Sequence, residues 1–550
     1  MQSTLECTGD GSVCFRGHPA SKKHTGKWKA SSLTIVCLFC SYVAISSISK
    51  NLVSYLTNVL HETNVAAARN VSAWQGTSFI SPLVGAFMAD SYLGKYWTAL
   101  IFFTIFIVVS ATSSLVSIDP QVWPVWSDTI SCQHIILFFG LYMVAIGYGG
   151  IKPCVSSFGA DQFDDTDAVE KTKKGSFFNW FYFCINIGSL ISGTVLIWVQ
   201  ENYGYGIGFG IPTFFIALAI GSFFIGSEIY RFQIPGGSPL TRACQVVVAA
   251  TRKRKVDLPD DSSLLYEFDG KTSAIEGSCK LEHSSEFRFL DKAAVISSDE
   301  ELSDPWRLCT VTQVEELKVI VGMLPIWATG IVYFSVLAQF SSTFLEQGRT
   351  MNTQVVGGFA IPAASLASFD AVSVIFWVPV YDRVLVPAAR RLTGNARGLS
   401  ELQRFGAGLF LSVMVMAAAA LVETRRLAVA HAGGEMSILW QIPQYFLVGA
   451  SVVFACVGQI EFFYNEAPRS MRSLCSALAL LTVGLGSYVS SVVVTAVDWL
   501  TTRGGGVGWI AEDLDDGHLD RFFWLLAAMS ALNLVVFVYC ARRYKCKKVF

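Results

Sequence analysis

Long apolar runs separated by short polar gaps follow one another along this chain, and that pattern leaves few folds open. The runs fall near residues 33–58, 73–93, 97–117, 135–156, 178–199 and 207–229. After a polar stretch they resume near 317–343, 365–388, 405–423, 438–463, 474–497 and 521–541. A helix of about 20 apolar residues crosses the hydrocarbon core of a bilayer. Lipid offers no partner for a free N–H or C=O, so such runs must be helical, and their Gly and Pro residues are tolerated where neighbouring helices or a cavity satisfy the backbone. The expectation is an all-α polytopic membrane protein with about 12 transmembrane helices. Composition agrees, because 52% of the 550 residues are hydrophobic and only 15% charged, against roughly 25% in soluble domains. A net charge of -1 excludes a broadly basic nucleic-acid binder. The 14 Cys are too dilute for a disulfide scaffold. Cys37, Cys40, Cys154, Cys184 and Cys456 lie in apolar runs, where a thiol packs as a small hydrophobe. No Cys/His spacing points to a metal, and no cofactor is expected.

The polar stretch splits the runs six and six. The expected organisation is an N-terminal tail (1–32), a six-helix half (33–230), a linker (231–316), a second six-helix half (317–541) and a basic tail (542–550). Residues 1–30 are polar, with Lys22, Lys23, Lys27 and Lys29 before a run too long for a cleavable signal. Cations recur at 171–174, 252–255, 390–397, 469–472 and 542–548, whereas the last opposite loop holds Glu512, Asp513, Asp515 and Asp516. By the excess of Lys and Arg on cytoplasmic loops, both termini should face the cytosol, although Arg425 and Arg426 run against the trend. The linker, with the run Ser297–Ser303, reads as a partly disordered connection or as the carrier of a regulatory or membrane-surface helix. Two six-helix halves around a cytosolic linker is the layout of an alternating-access transporter.

Two segments carry the chemistry. Gly85-Ala86-Phe87-Met88-Ala89-Asp90-Ser91-Tyr92-Leu93-Gly94-Lys95 closes the second run. Gly85 and Gly94 let backbones approach, Asp90 can cap a neighbouring helix or pair with a cation at a shut gate, and Lys95 should anchor at phosphate level. This resembles the Gly–Asp–Gly loop motif, followed by a cation, of the major facilitator superfamily. Phe178-Asn179-Trp180-Phe181-Tyr182-Phe183-Cys184-Ile185-Asn186-Ile187-Gly188-Ser189-Leu190 opens the fifth run and puts an amide, Asn186, inside an apolar helix. Together with Gly85–Thr98 it resembles the signatures of the proton-dependent oligopeptide transporter family. Gly149-Gly150-Ile151-Lys152-Pro153-Cys154, Gly159–Thr166, Pro325–Gly330, Val378–Arg383 and Gly458–Tyr464 are similar to its plant nitrate/peptide transporter branch. Phe209–Thr213 and Phe232–Arg242 look most like the di-/tripeptide-transporting members of that branch.

Lys152 stands between Gly149/Gly150 and Pro153, where a bend would tip its ammonium inward. An ionisable group at this depth is costly and marks a functional site. The resemblance implies that it faces a central cavity and serves substrate carboxylate binding and coupling. Gln339 and Leu337 lie on the seventh run; nitrate-binding members carry His where this chain has Leu337, so nitrate binding there is disfavoured. The family's Glu-x-x-Glu-Arg, whose residues share one helix face, is here Leu38-Phe39-Cys40-Ser41-Tyr42, and its common Glu on the tenth run is Val452. The expected site is Lys152 in a cavity with Ser41, Tyr42, Asn186 and Gln339. No carboxylate is expected there, Glu461, Asp370 and Asp90 being assigned to helix ends. The implied activity is secondary transport of small peptides or related solutes by alternating access, with proton coupling lost or altered. Nitrate or anion transport, or a transport-deficient receptor or partner subunit, are the alternatives, and no enzymatic constellation is present. Expected partners are a small-molecule substrate and the lipid bilayer, with protons an open question, no nucleic acid, and a monomer or weak homo-oligomer. The plasma and vacuolar membranes are equally compatible with the sequence.

Overall fold

The computed structural model describes residues 7–58, 64–118, 129–203, 205–259, 261–268, 280–297, 304–355, 359–360, 366, 368–394, 398–503, 507–511 and 514–545. Residues 298–303, Arg397, Glu512, Asp513 and the tail 546–550, all singled out above, lie outside them. The first half is built from α1 (Lys27–Asn58), α2 (Asn64–Met88), α3 (Gly94–Ile118), α4 (Thr129–Ala160), α5 (Ala168–Ile191), which continues through a wider turn into α6 (Ile197–Tyr203), and α7 (Tyr205–Ile225). Between the halves come α8 (Pro239–Arg252) and the short α9 (Arg288–Asp291). The second half comprises α10 (Val311–Leu337), α11 (Thr343–Arg349), α12 (Ser368–Val380) running through a wide turn into α13 (Val386–Thr393), α14 (Glu401–His431), α15 (Ile442–Glu466), α16 (Arg472–Thr502) and α17 (Leu519–Arg543). The described strands are a two-residue hairpin, β1 (Gln354–Val355) against β2 (Phe359–Ala360).

Eleven described helical stretches are apolar and long enough to cross a membrane, and one of them, Ala73–Val108, folds back at Gly94 (φ 75°). Gly150 of α4 shows the reversal. A Cβ on Gly150 would lie 2.3 Å from Phe102 of α3, and a Cβ on Gly85 of α2 would lie 2.3 Å from the Gly150 Cα. Thus α2 and α3 lie side by side on α4, and the crossings number twelve among the described residues. Helix α4 continues through Pro153, and its Gly149 and Gly150 let it lie directly against the α2 backbone and the Phe102 ring of α3.

Polar caps set where helices begin. Asp167 caps α5 by accepting from the N–H groups of Val169 and Glu170, and Thr310 with Gln313 and Ser400 with Gln403 form reciprocal caps on α10 and α14. These caps start α10 and α14 several residues before their apolar runs. Helix α14 also outlasts its run, because Glu423 and Arg426 pair inside it and Arg426 reaches Asp515. The pairing accounts for Arg426, which runs against the cation trend. Apolar packing forms one cluster on α1–α5 and α7 and a second on α10–α17, with Val457 and Tyr464 of α15 joining the first. A third, small cluster (Val246, Ala249, Leu290, Ala293, Val314) holds α8 and α9 against the base of α10.

Both described ends of the chain lie on the side of the bundle that carries this linker. Val13 pairs with Phe232 through two backbone hydrogen bonds of 2.9 and 2.8 Å, and the Gly9 N–H donates to Asp164 at 3.0 Å. At the other end the Tyr544 hydroxyl donates to Glu466, and Lys545 pairs with Glu286 at 3.4 Å.

Candidate functional site

Between the halves lies a cavity of about 410 Å³. Tyr42 of α1, Gln75 and Phe79 of α2, Lys152 of α4 and Tyr182 of α5 line one wall. Leu337 of α10, Asp370 of α12, Val452, Cys456 and Gln459 of α15, and Ser476 and Ser487 of α16 line the other. Apolar groups such as Phe181, Ile185, Phe334, Phe340 and Val448 fill the rest. A pocket of this size with a few convergent polar groups is the usual form of a small-molecule site.

Lys152 has no hydrogen-bond or ion-pair partner among the described residues. Its ammonium sits over the rings of Tyr148 and Phe79, 5.8 and 5.9 Å from their centroids. Ring faces attract a cation weakly without neutralising it, so the charge remains available to an anionic group entering the cavity.

The structure brings Lys152 and Tyr42 together at this cavity with Leu337 and Val452, two of the positions where titratable groups are replaced. It leaves out the others. Ser41 is buried and donates to the Cys37 carbonyl within its own helix at 2.6 Å. Asn186 likewise donates to the Tyr182 carbonyl at 2.8 Å. Gln339 sits in the tight turn after α10, fully buried, and donates to Ser490 at 2.7 Å. Leu38 belongs to the apolar core of the first half. Asp370 of α12, which the sequence reading set near a helix end, lines the cavity wall. Cys37 and Cys40 have the spacing of a dithiol pair, yet both are free and buried.

On the linker side the cavity is sealed. Lys95, expected at phosphate level, is instead buried and bonded to Asp161. Asp161 also takes a 3.0 Å bond from Arg472 and one from the Tyr464 hydroxyl, both in the second half. Asp165 is bonded by Lys174 and Arg472. Burial alone would raise the Asp165 pKa, but Arg472 and Lys174 outweigh it and hold the carboxyl far below its ordinary value. Asp161 is lowered by Lys95 and Arg472 against the same opposing burial. Asp90 accepts the Leu474 N–H at 2.8 Å, capping the start of α16. A second contact joins α5 to α12 and α14, where Asn179 donates to Asp382 at 2.9 Å and accepts from Arg404 at 2.7 Å. Arg404 also pairs with Glu461 at 3.4 Å.

The turn between α15 and α16 gathers three separate ties. Arg472 reaches the α4–α5 loop, Ser470 accepts from Arg242 of α8 at 2.9 Å, and Arg469 donates to the Asp10 carbonyl at 2.6 Å.

Comparison with known proteins agrees with this architecture. The family model described as "POT family" matches residues 76–510. Protein NRT1/ PTR FAMILY 8.3 of Arabidopsis thaliana is 53% identical over 557 residues, covering 98% of this chain and 95% of the relative. Protein NRT1/ PTR FAMILY 8.2 of the same plant is 49% identical, covering 98% of each. Among solved structures, the POT family transporter PepTSo superposes with a TM-score of 0.62 at 21% identity, covering 94% of this chain and 99% of that one. A POT family transporter in complex with 5-aminolevulinic acid gives 0.59 at 14%, covering 95% and 99%. With twelve crossings, a cavity between two sets of helices and these relatives, the chain is a multi-pass membrane transporter rather than an enzyme, and it belongs to the POT family, of the NRT1/PTR type.

Proposed function

We propose that this protein carries small peptides, or solutes that share their free carboxylate, by alternating access, with Lys152 binding the carboxylate. The observation that carries this reading is the unneutralised ammonium of Lys152 in a cavity between the halves. The cavity volume suits a solute of a dozen or so heavy atoms, and the 5-aminolevulinic acid held by one structural neighbour is a small molecule of that kind. The linker side, rich in Lys and Arg, is the cytosolic side in this reading, and the structure is the form closed to the cytosol. Residues 33–230 and 317–541 then act as the two moving halves, with 231–316 as their connection. Proton coupling through the usual positions of α1 and α15 is absent, because neither Leu38 nor Ser41 titrates and Val452 supplies no acid.

The test is counterflow of labelled dialanine into liposomes holding the purified full chain. Saturable exchange, reduced at least tenfold by Lys152→Ala and partly kept by Lys152→Arg, supports the reading. No saturable exchange, or exchange indifferent to Lys152→Ala, refutes it.

A further inference from the structure

Asp370 is the one carboxylate among the described residues lining the cavity. Its Oδ1 is buried without a hydrogen-bond donor among them, and no described cation pairs with it. The titratable and charged groups around it are Tyr42 and Lys50 from α1, Lys152 from α4 and Tyr182 from α5. Tyr333 from α10 and Tyr445 and Cys456 from α15 complete the set. The cation whose field acts on Asp370 is Lys50, near the outer end of α1. Lys50 is itself held off, donating to the Ser189 carbonyl and hydroxyl at 2.8 and 3.0 Å. The acid and the cation thus stand on opposite halves, and neither is neutralised by the other.

A buried carboxylate without a partner is tolerated only if something cancels its charge when water leaves the cavity. We infer that Asp370 is the group through which protons drive this transporter, with Lys50 as its alternate partner across the cavity. The inference rests on the transporter reading above. With solute bound at Lys152, Lys50 stays on Ser189, and the cavity closes once Asp370 has taken a proton from water on the open side. That proton leaves to water on the other side along with the solute. The empty carrier returns with Asp370 ionised and paired to Lys50. On the open side an O–H bond of hydronium breaks as that of the carboxyl forms, and on the other side the carboxyl O–H bond breaks as the proton returns to water as hydronium.

The test compares net uptake with counterflow of dialanine in liposomes at pH 7.5 and 5.5. The expected result for the wild type is several-fold higher net uptake on acidification. Asp370→Asn should lose this response, and Asp370→Glu should keep it with a shifted midpoint. Lys50→Met should lower the ratio of net uptake to counterflow severalfold, because only net uptake needs the empty carrier to return. Acid stimulation that survives Asp370→Asn, or an unchanged ratio in Lys50→Met, overturns the inference. Wild-type counterflow without any acid stimulation of net uptake also overturns it, while leaving the transporter reading intact. Absence of counterflow removes both.

Discussion

Single residues decide what this cavity can hold. In α1 the positions that the family resemblance would fill with Glu, Glu and Arg hold Leu38, Ser41 and Tyr42, and each has its own place in the structure. Leu38 packs in the core, Ser41 bonds back to its own helix, and Tyr42 turns a phenol to the cavity. Restoring carboxylates alone would bury charge in a packed apolar face. Leu38→Glu/Ser41→Glu should therefore melt well below the wild type, with a cost on the order of 3–5 kcal/mol for uncompensated buried charge. Adding Tyr42→Arg should recover a large part of it, and melting curves in detergent at pH 7.5 would check both. The residues that sequence could locate were those whose chemistry is costly in lipid. Lys152 was legible because an ammonium inside an apolar run demands a reason. Asn186 and Gln339 raised the same question but answer it privately, within a helix turn and against Ser490. Asp370 was noted as a remaining acid near a helix end, but its place at the cavity wall was not legible, because position along an apolar run does not report depth in the bundle.

At the scale of helices and turns, apolar length gave the crossings and polar caps corrected their ends. The packing role of Gly149 and Gly150 was not legible, since a glycine pair beside Pro reads equally as a bend. Nor could spacing tell that Lys95 turns inward to Asp161, because its partner is 66 residues away. The same loop makes a prediction about acid. Asp161 and Asp165 have folded pKa values below those of the unfolded chain, so their contribution is complete above the ordinary carboxylate range. It is lost only as pH falls through the depressed folded values. Melting at pH 5.5 should thus show no loss from this seal relative to pH 7.5. Arg472→Ala should lower the melting temperature at both pH values, because it removes one of the two cations that hold each of Asp161 and Asp165 and leaves Lys95 and Lys174 to hold them alone. A melting temperature for that variant equal to the wild type would show that the seal carries no stability.

Over the whole molecule, the seal on one side and the cavity on the other define which face water can reach. Ser487 lines the cavity, whereas Ser157 is buried at the seal, within 3.4 Å of Ser473. A membrane-impermeant thiol reagent applied from the side opposite the linker should label Ser487→Cys above the wild-type background. Ser157→Cys should stay protected until the halves rock. Equal labelling of the two would mean that the seal is not the resting state. Fold class, crossing number and family could all be drawn from the sequence, because lipid allows so few solutions to the backbone. Which side is shut could not, because that depends on contacts between residues hundreds of positions apart.

The hydrogen bond from Arg469 to the Asp10 carbonyl spans 459 positions. At ribosomal speeds of about 5–20 residues per second, the two partners emerge roughly half a minute to a minute and a half apart. The leading segment must wait at the surface while nearly every crossing is threaded into the bilayer. Its attachment therefore cannot close before α15 and the turn after it have emerged, and it is available while α16 and α17 are still to follow.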